Sequence, residues 1–167
     1  MITVEQLVRD LKPNKTVLFF GAGSSIPSGL PSGEDLKNIL AKEYDINGSG
    51  FSLAEVALLA ELKTSRADLV RSLRKIIGKP QPTGALLNLP MYRWKSIFTT
   101  NYDRLIEDSF KRRSKGLVDY HTNFDFSKDV SDSDQILFKV HGTINEDVSD
   151  GAKSRIIITQ SDYDKTE

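Results

Sequence analysis

The stretch FFGAGSSIPSGLPSG, residues 19–33, runs an apolar pair into glycines, serines and prolines that no core could use. With Thr16, Val17 and Leu18 in front of it, the apolar part reads as a short strand. The glycine-rich part then reads as a turn at that strand's carboxyl end. Such a turn is built around something, because Gly and Ser let backbone N–H groups come close to a bound group.

Three more runs resemble the first: SIFTT at 96–100, ILFKV at 136–140 and RIIIT at 155–159. Each is rich in β-branched or aromatic residues without clean alternation, which suits strands covered on both faces in a parallel sheet. Between them lie segments of helical period. The opening ITVEQLVRDLK predicts an amphipathic helix. Ser32 with Asp35, Ser52 with Glu55 and Ser65 with Asp68 each place an N-capping hydroxyl three residues before an acid, which predicts three helix starts. The third helix should stop at Gly78, since Pro80 and Pro82 cannot continue it. Asn101 is a candidate N-cap for a further helix carrying Leu105, Ile106 and Phe110 and ending near Gly116. This order predicts an α/β fold, a Rossmann-like open parallel sheet with helices on both faces. The stretches NFDFSKDVSDSDQ, 123–135, and NEDVSDGAKS, 145–154, are acidic and aperiodic and are expected as surface loops.

The 167 residues suit one domain with a core. Lys plus Arg and Asp plus Glu both number 23, so no net field gathers a polyanion, and nucleic acid is not the expected ligand. There are no cysteines, which removes disulfides, thiolate zinc sites and cysteine nucleophiles together. His121 and His141 are too far apart for a helical metal pair, so no metal is expected. No run approaches a membrane span, and the reading is a cytoplasmic protein.

In open α/β sheets ligands bind at the carboxyl ends of the strands. Gly21-Ala22-Gly23 ends the first run. Ile26 stands where a dinucleotide fingerprint has its third glycine, so by itself the turn suits a nucleotide and a plain bend equally. Thr99-Thr100-Asn101-Tyr102-Asp103 ends the second run and His141-Gly142 the third, so all three clusters should meet on one edge of the sheet. Each also has a bland use, as an N-cap, a helix-dipole acid or a strand-end histidine. His121 lacks this context and is expected at the surface, while Tyr92 and Trp94 are expected in the core or at its rim.

These three clusters resemble the sirtuins and their bacterial sirtuin-like relatives. Gly21-Ala22-Gly23-Ser24-Ser25 followed by Gly29-Leu30-Pro31 is similar to the family's Gly-Ala-Gly-x-Ser turn and its Gly-Ile-Pro. Thr99-Thr100-Asn101-Tyr102-Asp103 is similar to its Thr-Gln-Asn-Ile-Asp, and His141-Gly142 to its His-Gly. The resemblance implies an NAD site: Gly21, Ala22, Gly23 and Ser24 would take the pyrophosphate on backbone N–H groups with Ser25 nearby, and Pro31 and Thr100 would be further cofactor-binding residues. Asp103 would then hold the nicotinamide carboxamide, Asn101 a water near the anomeric carbon, and His141 would be the base.

Ser32-Gly33-Glu34 stands where the deacylases carry Asp-Phe-Arg, their zinc cysteines are missing, and the interval from Asn101 to His141 is long. These departures resemble the antiphage domains that hydrolyse NAD to nicotinamide and ADP-ribose. A non-catalytic NAD or ADP-ribose sensor is the alternative, and a deacylase the third reading. The family's later Gly-x-Ser turn and further strand are not found by Glu167, so residues 1–167 are expected to be one incomplete NAD-binding domain. Further domains of a parent chain, or a homo-oligomer, are the expected partners.

Overall fold

Val17–Phe20 is the first strand, β1, of a four-stranded sheet in the computed structural model, which describes residues 3–121, 129–147 and 155–165. The other strands are β2 (Ser96–Thr99), β3 (Leu117–Tyr120) and β4 (Gln135–Lys139). Their order is β1-β2-β4-β3 and every pairing is parallel. The α/β open parallel sheet is therefore present, with two corrections. RIIIT at 155–159 forms no strand, and Leu117–Tyr120, which no apolar run announced, supplies the edge strand instead.

Capping chemistry sets the helices. Helix α1 (Val4–Asp10) opens on a Thr3 capping box. Ser32, Ser52 and Ser65 cap α2 (Gly33–Glu43), α3 (Leu53–Lys63) and α4 (Arg66–Ile77), as the serine and acid spacing predicts. Helix α4 ends at Gly78, whose φ of 58° is open to glycine and strained for other residues. Helix α5 (Leu105–Arg112) follows β2, but its N-cap is Arg104, not Asn101. It starts later because Asn101 is held by the β1 turn, and the Asp103 Oδ1 accepts from the Leu105 amide instead. A short α6 (Gln160–Tyr163) opens on Thr159.

Two cores result. Leu18, Ile97 and Leu137 share one sheet face, where they meet Leu105, Ile106 and Phe110 of α5 and Leu86 and Leu89 of a 3-10 segment. Helices α2, α3 and α4 make the second core with Ile144, Ile156 and Ile158, past the carboxyl ends of the strands. Burial along β2 and β4 alternates, although the runs themselves do not. On the other face Phe19, Phe98, Phe138 and Tyr120 fall in one register row, with Phe98 stacked on Phe138 at 4.6 Å and Phe19 exposed.

The two acidic stretches fall partly outside the described residues. Within the described part, Gln135 is not loop: it begins β4, buried, and its Oε1 accepts from the Trp94 amide at 2.9 Å. Asp147 is 1% exposed rather than at the surface. His121 is corrected too, since its side chain is largely buried and pairs with Glu146. Trp94 packs against the first core, as expected, whereas Tyr92, expected in the core or at its rim, is exposed.

Candidate active site

Adjacent parallel strands bring their carboxyl ends to one edge, so the turns after β1, β2 and β4 meet there. The β1 turn is a 3-10 step at Ala22–Ser24 followed by another at Ile26–Ser28, with Gly29 at φ 85° leading the chain into Pro31 and α2. The β2 turn is tied to it by side chains. Asn101 Nδ2 donates to the Gly21 carbonyl at 3.1 Å, to Ser24 Oγ at 3.1 Å and to Ser25 Oγ at 2.9 Å. Ser25 Oγ in turn donates to Asp103 Oδ2 at 2.7 Å. Asn101, Asp103 and Ser25 are all buried. A buried polar set of this kind is stable only when its groups satisfy one another, which rigidifies both turns.

The arrangement leaves specific atoms available. The Asn101 amide nitrogen is spent on the β1 turn, while its Oδ1 bonds to no protein atom among the described residues. Both Asp103 oxygens accept one bond and, as carboxylate oxygens, keep a further lone pair.

A cavity of about 220 Å³ opens over these groups. Ala22, Ser25, Pro31, Thr100, Asn101, Asp103 and His141 line it, with Tyr102 and Tyr163. Gly21, Gly23 and Ser24 lie outside the lining; Gly21 and Ser24 shape the turn from behind, through the bonds to Asn101.

His141 sits half-buried just past β4. Burial pushes its pKa below the ordinary histidine value, so the ring is neutral at pH 7. Among the described residues neither ring nitrogen makes a protein hydrogen bond. The ring meets Tyr163 edge-on at 5.5 Å and Tyr102 at 6.3 Å. The link from this strand end to its neighbour runs through backbone instead: the Ile157 amide donates to the His141 carbonyl at 3.0 Å. Gly142 takes φ 77°, and a Cβ there would lie 3.4 Å from the Arg155 carbonyl oxygen.

Beneath the site lies an ion pair that the sequence reading did not single out. Lys139 Nζ meets Glu107 Oε1 at 3.0 Å with both side chains buried, and it also donates to the Asp103 carbonyl. Burial raises the Glu107 pKa, while Lys139 pulls it down. A lysine inside the apolar run ILFKV was the available signal. Among the described residues no group of three or more His, Cys, Asp or Glu could hold a metal ion, and no helix is long and apolar enough to cross a membrane.

Residues 95–167 match the family model described as a SIR2-like domain. The chain is also similar to two curated proteins named NAD(+) hydrolase ThsA. The one from Acinetobacter baumannii (strain 532279) is 27% identical over 169 residues, covering 98% of this chain and 33% of the relative. The one from Enterococcus faecium is 26% identical over 173 residues, covering 98% and 34%. The chain thus spans about a third of the length of the curated relatives it matches. With three strand-end motifs gathered on one edge and this match across its second half, the chain is sirtuin-like, carrying a SIR2-like domain match over residues 95–167.

Proposed function

We propose that this chain is the NAD-hydrolysing domain of a bacterial antiphage effector, releasing nicotinamide and ADP-ribose in the cytoplasm. The observation that carries the reading is the His141 imidazole: neutral, lining the cavity, and without a protein hydrogen bond among the described residues although half-buried. A histidine serving only to tie strand to loop would spend a ring nitrogen on the tie, and here the backbone makes it. The names of the two relatives support the same reaction class.

Cleavage of the bond between nicotinamide and ribose passes through an oxocarbenium-like state, so the site must hold the leaving group and place a water behind the anomeric carbon. Asp103 faces the carboxamide of the leaving nicotinamide. Asn101 Oδ1 accepts from the attacking water. His141 takes that water's proton as its oxygen bonds to the anomeric carbon, and the electron pair of the broken bond leaves on nicotinamide. Ala22, Ser25, Pro31 and Thr100 line the approach to the pyrophosphate, with Gly21, Gly23 and Ser24 setting the turn.

The test is nicotinamide release from NAD by the full-length protein and its His141→Ala variant, with and without an acetylated peptide. Peptide-independent release, lost in the variant at a nearly unchanged thermal midpoint, is expected. Release that needs peptide would make the protein a deacylase. NAD binding without release would make it a sensor.

A further inference from the structure

Residues 155–159 frame His141, yet they form no strand and have no ladder to hold them. Ile156 and Ile158 point into the second core, each 1% exposed. Ile157, between them, faces the site: its amide donates to the His141 carbonyl, and its carbonyl accepts from the Tyr102 hydroxyl at 2.8 Å. Apolar burial of two isoleucines holds the segment down but does not fix the direction of its amides. Something directional must do so.

Arg66, the first residue of α4, supplies it. The side chain is buried, and both arms of its fork are engaged. Nη2 donates to Asp147 Oδ2 at 2.6 Å and to the Ile156 carbonyl at 2.8 Å. Nη1 donates to Asp162 Oδ2 at 3.0 Å and to Glu61 Oε2 at 3.2 Å. The carboxylates so placed then receive the segment's amides: Asp147 Oδ2 accepts from Ile156 at 3.0 Å, and Asp162 Oδ2 from Ile158 at 3.2 Å and Thr159 at 2.9 Å. One guanidinium therefore bonds three carboxylates and one carbonyl; Arg155 shares Asp162 and Glu61 with it, while Arg66 alone joins Asp147 and Asp162, the two carboxylates that hold the segment's amides.

We infer that Arg66 is a positioning residue for His141, acting through Asp147, Asp162 and the 155–159 backbone. Its consequence for turnover rests on the functional reading above. Among the described residues Arg66 makes no hydrogen bond or ion pair to a residue lining the cavity; it acts through this relay, holding the base at its angle to the water while the ring's nitrogens are left for the substrate.

The test uses the full-length protein with Arg66→Lys, which keeps the charge but loses the fork, and Asp147→Asn, which keeps the volume and an acceptor for the Ile156 amide. The second decides the matter if the first does not fold. Amide exchange followed by mass spectrometry should speed up about tenfold over 155–159 while peptides from β2 and β4 keep their protection. Nicotinamide release should lose about tenfold in kcat with KM changed less than about twofold. Unchanged exchange over 155–159, equal loss of protection throughout the protein, or faster exchange with unchanged kcat would each overturn the inference. A wild-type protein that hydrolyses no NAD would refute the functional reading instead, and the exchange measurement then decides the relay by itself.

Discussion

Replacing Lys139 by Met should show how strongly the floor of the site depends on one buried charge. The Lys139 and Glu107 side chains are 1% and 6% exposed and meet at 3.0 Å. Methionine fills much of the lysine stem's volume, so the main loss is electrostatic. Glu107 is left in the interior without its counter-ion, and the Asp103 carbonyl loses its donor. Removing one partner of a buried pair costs about 3–5 kcal/mol, a large share of a domain's total stability.

The sign of the pH dependence follows from Glu107. Burial already raises its pKa, and losing Lys139 removes the largest pull in the other direction, leaving a backbone hydrogen bond and Arg104, so the folded value rises further above the unfolded one. The folded state then holds the proton at pH values where the unfolded state has lost it. The penalty is therefore smallest in acid and grows as pH rises from the ordinary carboxylate range through the raised folded pKa. The double variant Lys139→Met with Glu107→Leu removes both charges and should recover most of the loss. Urea denaturation between pH 4 and pH 8 measures all three proteins. A single-variant loss under about 1 kcal/mol, or a double variant no more stable than the single, would refute the argument.

Three other outcomes are expected. The acid limb of kcat/KM for nicotinamide release should lie below the ordinary histidine value of about 6.5, because burial lowers the His141 pKa and keeps the base neutral further into acid; pH–rate profiles check this. Burial alone would raise the Asp162 pKa, but the Thr159 amide, Arg155 and Arg66 outweigh it and bring it to about 2. The group thus adds stability above the ordinary carboxylate pKa that is lost as pH falls toward about 2, roughly 1–2 kcal/mol after screening, read as the difference between wild type and Asp162→Asn in acid titrations. Gly142→Ala must hold an L-residue at φ 77° with its Cβ 3.4 Å from the Arg155 carbonyl, so it should lose about 1–2 kcal/mol in denaturant and slow turnover by shifting the His141 loop.

Local chemistry was legible along the chain. Ser32, Ser52 and Ser65 announced their helices because a capping hydroxyl and an acid three residues later act within one turn, with no need of distant partners. Gly78 announced the end of α4 for the same reason. The glycine turn after β1 and the polar clusters after β2 and β4 could be placed on one edge because parallel strands leave no other arrangement.

What the sequence left open depended on partners far away in the chain. Leu117–Tyr120 has a strand's residues only in part, and pairing with β4 decided it. The run RIIIT has a strand's composition but pairs with no strand of the sheet; its isoleucines go into the helical core and its amides to the carboxylates of Asp147 and Asp162. Asn101 looks like a helix cap in isolation; its amide goes to the β1 turn, 80 residues earlier, because that is where buried acceptors wait. Asp147 and His121 sit in acidic or polar stretches and read as surface, but each is buried against a partner of opposite character brought by another segment. The sequence by itself determined the starts of α2, α3 and α4, the end of α4, the turn after β1 and the identity of the residues gathered on one edge of the sheet. Which of their atoms are spent on structure, and which stay free for a substrate, was decided by tertiary contacts, because hydrogen-bond partners 50 to 100 residues apart leave no local pattern.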